Sequence, residues 1–488
     1  MDANNHLLFT WIVQAFVKSF GLHEFVLRLP SILSFIIYAF FSVRFSIAFK
    51  SILFQFGCLI ILLLNPFVND YFCLARGYAL SMALMLGSLY FVFQFIQENL
   101  KHRFAFAALI FASLSLLANF IMINYVLVLL MMYMLYILIT LKNENQKINI
   151  LYKVVLSLIA PIAVLVFTIP IILNLKNAGA LFIGKNNGFW QDTIQSLIQR
   201  FLYNADVKYW EQLLIEIGLV LVLFIGLILI MSALMHKTFT IFLKFQLAIM
   251  FVLFSCVMLN IFQNKFMHVL YGFGRTAMYY YPLLSLASIF ILYNLSLIKP
   301  IMAKRIFALV MLVFAANFTL NANVNYAIER RAEGDAELMV EDLTQFYLSE
   351  SKKQKAITLG MSFPYHDDLT FYKETRHLPW LNYVQDEFAF HLQNDFFFIA
   401  VKDTIYLKNI SFKILNTYEV SQAALIQNLQ KWKLKKSLFD TLNFEKFSSN
   451  SFEIAGKKGV KIDSLNAFSE SITINIKDSL LKATSKLV

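Results

Sequence analysis

Charge is scarce in this chain. Of its 488 residues only 15% are Asp, Glu, Lys or Arg, against 59% hydrophobic and 16% aromatic, and the mean hydropathy is +0.65. A soluble globular chain carries about a quarter charged residues, so that class is excluded. Cysteine is nearly absent: Cys58 and Cys256 fall in apolar runs and Cys73 in a polar loop, which leaves no disulfide framework and no CxxC metal site. The formal net charge of +12 does not point to nucleic acid, because the basic residues are not interleaved with stacking aromatics on a soluble face.

What is abundant is apolar sequence in runs of the length a bilayer requires, about 20 residues for a spanning helix. Ten candidate spans emerge, at 29–49, 51–67, 78–97, 104–120, 121–141, 154–173, 217–235, 245–261, 277–297 and 306–320. The apolar stretch 104–141 exceeds one helix, and Asn119 with Asn124 offers the turn of a hairpin. The fold class read from this pattern is an all-α polytopic membrane protein with a soluble α+β or α/β C-terminal domain.

Short loops rich in lysine and arginine stay in the cytoplasm. Alternate connections hold Arg44 and Lys50, Lys101 and Arg103, Lys142, Lys147 and Lys153, Lys237 and Lys244, then Lys299, Lys304 and Arg305. The opposite set, residues 1–27, the Asp70 loop, 174–216, 262–276 and everything after Leu320, is therefore expected on the outer face of the cytoplasmic membrane. Residues 1–27 would lie outside with neither signal peptide nor span ahead of them, which predicts a leading transmembrane helix upstream of Met1.

Three regions follow. Residues 1–28 form an outer juxtamembrane amphipathic segment, in which Leu7, Leu8, Trp11, Ile12, Ala15, Phe16 and Phe20 recur at helical spacing. Residues 29–320 are the membrane domain, without internal repeat, and 321–488 an extracytoplasmic soluble domain. In that domain 326–349 reads as a charged amphipathic helix, and 357–363, 396–401 and 412–415 as strands. His366, Asp367 and Asp368 could bind metal, but an acidic pair after Pro364 reads more readily as a solvated turn.

The polar groups that could carry chemistry sit in the outer set. The loop Asn65-Pro-Phe-Val-Asn-Asp70-Tyr-Phe-Cys-Leu-Ala-Arg76-Gly-Tyr78 places a carboxylate and a guanidinium six residues apart at a predicted membrane surface. Asp70 and Arg76 either pair locally or act on a ligand, and Arg76 could equally snorkel to lipid headgroups. Arg275 in Gly272-Phe-Gly-Arg275-Thr-Ala-Met-Tyr-Tyr-Tyr-Pro282 has the same ambiguity. His6 is a hydrogen-bonding candidate or a helix cap, while Tyr78 and Tyr279 to Tyr281 suit an aromatic belt better than substrate stacking. The run Leu181-Phe-Ile-Gly184-Lys185-Asn-Asn-Gly188-Phe-Trp190-Gln-Asp192-Thr193 lacks the ending of a phosphate loop. There Asp192 or Thr193 could cap a helix over 194–202, or the run could form a mobile cover.

A polar stretch ending in His6, an amphipathic helix, and the run Phe20-Gly-Leu-His23-Glu24-Phe-Val-Leu-Arg28-Leu-Pro30 before the next span resemble the first outer loop of GT-C glycosyltransferases. Within them the chain is most similar to bacterial relatives of protein O-mannosyltransferases. Ala75-Arg76-Gly77-Tyr78-Ala79-Leu80 after an Asn-Pro turn, and the Arg275 run, fit the same pattern. Two departures stand out: His6-Leu7-Leu8 replaces the commoner His-Pro-Pro, and the acid usually found upstream of the His run has only Asp2 as a counterpart.

The resemblance implies transfer of a sugar from a polyprenyl-phosphate donor to a glycan, lipid or protein acceptor, by displacement with inversion at the anomeric carbon. Cationic donors must then hold the leaving phosphate, a role suited to Arg76, Arg275 and Lys185. A carboxylate must activate the acceptor or hold a divalent metal, for which Asp70 is first choice and Asp2 second. His6 would position substrate, and Tyr78 and Asp192 are further candidate contacts. The rival readings are a secondary transporter or lipid flippase, which would place ionisable groups mid-membrane, and a non-catalytic scaffold.

Overall fold

The computed structural model describes residues 6–140, 147–179, 184–203, 208–349, 356–361, 365–383, 394–402, 404, 411–429, 451–454 and 457–460. The chain divides into two compact units, Met1–Ile328 and Glu329–Val488, a boundary eight residues beyond the expected one at 320.

The first unit is helical: α1 Leu7–Phe20, α2 Glu24–Ser46, α3 Ile52–Leu63, α4 Pro66–Cys73, α5 Tyr78–Gln97, α6 His102–Ala118, α7 Ile123–Thr140, α8 Lys147–Asn177, α9 Ser196–Phe201, α10 Tyr209–His236, α11 Ile241–Met267, α12 Tyr280–Ile298 and α13 Pro300–Asn321. Every expected span has its helix, but not every one is a full crossing. Eight are long and apolar enough: α2, α5, α7, α8, α10, α11, α12 and α13. The span expected over 51–67 is broken into α3 and α4, bent by 57°, because Asn65 caps a new helix whose first residue is Pro66. Helix α6, with 17 residues, falls short of the same length. The chain is a multi-pass membrane protein.

Burial sorts these helices between the middle and the rim of the bundle. In α5 and α12 the most apolar windows are 78% and 72% buried, whereas in α10 the figure is 11%. Helix α2 shows how one helix serves both environments. Ser31, Ser34, Tyr38, Phe41 and Phe45 recur at near-heptad spacing and are buried, while Ile32, Leu33, Ile36, Phe40 and Val43 face outward, an apolar surface that only lipid covers without cost. Several buried polar side chains inside the bundle are matched to one another: Tyr125 donates to Ser88 Oγ (2.8 Å), Asn294 to Gln246 (2.9 Å), and Asn124 and Gln263 exchange two amide bonds (3.0 and 2.8 Å).

Contacts between helix ends establish the up-and-down order. At one end Tyr281 bonds the Ile61 carbonyl, Lys176 the Met267 carbonyl (2.6 Å), Asn317 the Phe201 carbonyl (2.8 Å) and Ser31 the Leu74 carbonyl (2.5 Å). At the other, His102 meets Tyr136, Arg44 grips the Tyr90 hydroxyl and Ser46 bonds the Gln55 carbonyl. Asp70 and Arg275 therefore belong to one end, and the lysine-rich connections to the opposite one. Helix α1 buries Leu7, and Phe9 joins a small cluster with Leu80, Leu84 and Ala118, while Trp11 and Phe20, which the helical spacing groups with Leu7, are exposed.

The second unit holds α14 Ala336–Ser349, α15 His366–Thr375 and a five-stranded sheet of order β2-β1-β3-β5-β4, with β1 Ile357–Met361, β2 Leu381–Tyr383, β3 Phe396–Ala400, β4 Phe412–Tyr418 and β5 Ala423–Asn428. Strand β1 pairs in parallel with β2 and β3, and β5 is antiparallel to β3 and β4. The three expected strands are β1, β3 and β4, while β2 and α15 add a βαβ crossover, with Asp367 and Asp368 in the first turn of α15 rather than in a solvated turn. A separate hairpin joins β6 Ser451–Ile454 to β7 Lys457–Val460. Helix α14 covers only the C-terminal part of the expected 326–349, a 3-10 segment at Ile328–Glu333 preceding it.

Candidate functional site

Asp70 owes its place to the helix break. With Asn65 Oδ1 accepting from the Val68 amide (3.2 Å) and Asn69 tied back to the Leu63 carbonyl (3.0 Å), α4 buries Pro66, Phe67, Val68, Tyr71 and Phe72 and leaves Asp70 half-buried on its other side. Both carboxylate oxygens take the Tyr203 hydroxyl, at 3.1 and 3.0 Å, and Oδ2 accepts the Ile328 amide at 2.8 Å. Asn323 donates to the same hydroxyl (3.2 Å), which fixes Tyr203. Burial and the Asp70 charge push the Tyr203 phenol well above its ordinary range, so it stays protonated as a donor.

A second cluster forms where α1 and α5 begin. His6 precedes α1 and packs edge-on against Tyr78, ring centroids 5.2 Å apart, and Tyr78 lies 5.1 Å from Tyr71 on α4. Gly77 permits this: a Cβ there would lie within 3.0 Å of the Ala118 carbonyl oxygen and of His6 Cβ. Burial, and secondly the charge of Arg275, lower the His6 pKa from 6.5 to about 4, so its imidazole is neutral at ordinary pH. Arg275 is half-buried in the 3-10 turn Gly274–Ala277, close enough for its charge to act on His6. Arg76 lies half-buried in the turn joining α4 to α5, its amide bonded to the Leu74 carbonyl (2.8 Å).

Residues 184–203 join the two clusters, and they are bonded along their length rather than hanging free as a cover. Lys185 and Tyr271 exchange backbone bonds (3.2 and 2.9 Å), and the Lys185 ammonium stands 4.0 Å over the Phe273 ring. Thr193 Oγ1 donates to the Gly272 carbonyl (2.9 Å), and the Gly274 amide to Ser196 Oγ (3.1 Å). The chain then runs through α9 to Tyr203 and so to Asp70. The helical segment opens as a π-turn, Trp190–Gln195, a form frequent at functional sites.

The expected site residues thus divide. Asp70, His6, Tyr78, Arg76, Arg275 and Lys185 all lie at one end of the bundle, with Tyr78 touching His6 and the Lys185 backbone paired to Tyr271, four residues before Arg275. Asp192 is 2% exposed, and its carboxylate accepts the Asn187 and Gly188 amides (2.8 and 3.2 Å) and the Asn187 side chain (3.1 Å). It closes the 187–192 loop rather than facing a ligand. Asp2 lies outside the described residues, as do the side chains of His366 and Asp367. Among the described residues no three His, Cys, Asp or Glu side chains gather into a metal cluster. Tyr203, the Ile328 amide and Gly77 were not singled out by sequence: Tyr203 is 133 residues from Asp70, and no spacing rule reaches that far.

No known protein-family model matches the chain, and no curated protein does. Solved structures similar to it include the crystal structure of ArnT from Cupriavidus metallidurans in the apo state, 13% identical, covering 86% of this chain and 87% of that one, with a TM-score of 0.44. The same protein bound to undecaprenyl phosphate is 13% identical over 88% of each chain, with a TM-score of 0.45.

Proposed function

We propose that this protein is a membrane glycosyltransferase that moves a sugar from a polyprenyl-phosphate donor to an acceptor hydroxyl at the outer face of the cytoplasmic membrane. The observation that supports this most is the presence, at a single end of the spans, of a half-buried carboxylate held by neutral donors, of the half-buried Arg275 and of the exposed Lys185. A transporter would concentrate ionisable groups mid-membrane. Here Arg44 and Glu216 stand close to helix ends.

In this reading Asp70 takes the proton of the acceptor hydroxyl as its oxygen bonds to the anomeric carbon, and the bond from that carbon to the phosphate oxygen breaks with inversion. Arg275, with Arg76 and Lys185, holds the charge gathering on the departing polyprenyl phosphate. Neutral His6 contributes hydrogen bonding and packing, not charge. Tyr203 and the Ile328 amide orient the base while leaving lone pairs for the proton. A divalent ion, where one takes part, would meet Asp70.

The test is made in cells: Asp70→Asn and Arg275→Ala, expressed separately at wild-type level, with glycan attachment to surface lipid, polysaccharide and protein measured. Loss of a general base costs about 10²- to 10⁴-fold, so transfer by the Asp70 variant should drop to background. Unchanged attachment in both variants would leave the transporter or scaffold reading standing.

A further inference from the structure

Glu216 lies 20 residues before the end of α10 and is 8% exposed, a carboxylate buried near one end of a membrane-spanning helix. Among the described residues its hydrogen bonds come from neutral donors. Trp190 Nε1 reaches Oε2 at 2.8 Å, Gln195 Nε2 reaches Oε1 at 3.0 Å and Oε2 at 3.2 Å, and Gln212 Nε2 reaches Oε1 at 2.7 Å. Gln199 extends the chain by donating to Gln212 (3.1 Å). A charged group is expensive to bury and persists there only where its bonds are made. Here the donors lie at the two ends of the π-turn, Trp190 and Gln195, with Thr193 between them bonded to Gly272 three residues before Arg275.

We infer that Glu216 is a positioning residue: its carboxylate pins the π-turn to α10, and through the Thr193–Gly272 and Ser196–Gly274 bonds this sets where Arg275 presents its guanidinium to a lipid phosphate. The inference rests on the transferase reading, in which Arg275 grips that phosphate. Three donors that converge on one acceptor group tolerate no amide there, since the NH2 of a glutamine would face donors. Replacing the charge should therefore shift the turn without emptying the space.

The full chain in phosphatidylcholine nanodiscs is titrated with two probes, decaprenyl phosphate and uncharged decaprenol, and their affinities compared. Arg275→Ala should cut the preference for the phosphate about tenfold, the worth of one charge-assisted contact. Glu216→Gln should cut it about three- to tenfold with decaprenol binding unchanged, and the double variant should bind no worse than Arg275→Ala alone. The inference is overturned if Glu216→Gln keeps the wild-type preference, if it weakens both lipids alike, or if its loss multiplies that of Arg275→Ala. If Arg275→Ala itself leaves the preference intact, the phosphate clamp of the transferase reading falls and this inference with it. Should Glu216→Gln fail to fold, Gln195→Ala removes one of the three donors and is read by the same comparison.

Discussion

Asp70 and Tyr203 show how a single phenol shapes a carboxylate. Because the hydroxyl bonds both oxygens, removing it loosens a carboxyl that the Ile328 amide holds at Oδ2, and lets it rotate away from the acceptor. Tyr203→Phe should lower transfer about tenfold or more with the chain still folded, as loss of a hydrogen bond to a charged group predicts; rates measured on matched amounts of protein check this. His6 offers a pH test. Its pKa is about 4 in the folded chain and 6.5 when exposed, so the unfolded chain binds more protons between these values, and stability falls as pH drops through that window. His6→Phe keeps a ring against Tyr78 without the titration. Melting curves in detergent should therefore show the variant losing less stability than wild type between pH 6.5 and pH 4; parallel curves would sink the assignment.

Elements meet at this site by approach rather than by charge alone. The α5 start can touch His6 and the α6 end because residue 77 has no side chain, and the atom a Cβ would strike is a backbone carbonyl, which cannot swing away. Gly77→Ala should destabilise the folded chain by about 1–3 kcal/mol, the usual cost of overpacking, and should be visible as a lowered melting temperature. An unchanged melt would mean that α6 yields. Gly184 plays a like part at the 270–271 chain, where a Cβ would fall within 3.0 Å of Leu270 Cβ and the Tyr271 carbonyl. At this scale much was legible beforehand. The apolar runs located the spans, while Asn65-Pro66 reads as a turn in sequence and is the cap and first residue of α4 in the fold. The 57° bend was not legible, because hydropathy over 51–67 is continuous and carries no record of direction. The βαβ crossover was missed for a related reason: His366 and the acids after it looked like a turn, yet acids also suit the first turn of a helix.

Over the whole molecule the lysine-rich connections lie at the end opposite Asp70, which predicts that the Asp70 end faces outward. The native cysteines make this testable without new ones. Cys73 is exposed beside Asp70, whereas Cys58 and Cys256 are buried in the bundle. A membrane-impermeant maleimide added to intact cells should label the wild type and not Cys73→Ser. Labelling that appears only after the cells are opened would reverse the orientation and with it the outer-face reading.

Composition and hydropathy alone determined that this chain crosses a membrane repeatedly, roughly where each helix lies, and which loops collect cations, because transfer of apolar surface and of charge depends on local sequence. Tertiary structure decided the rest. It showed that Asp192 is spent on its own loop, that Asp70 answers to a tyrosine and an amide far along the chain, and that Glu216 binds both ends of the π-turn. Hydrogen bonds of that kind depend on where folded segments meet in space, and separation along the chain does not encode it.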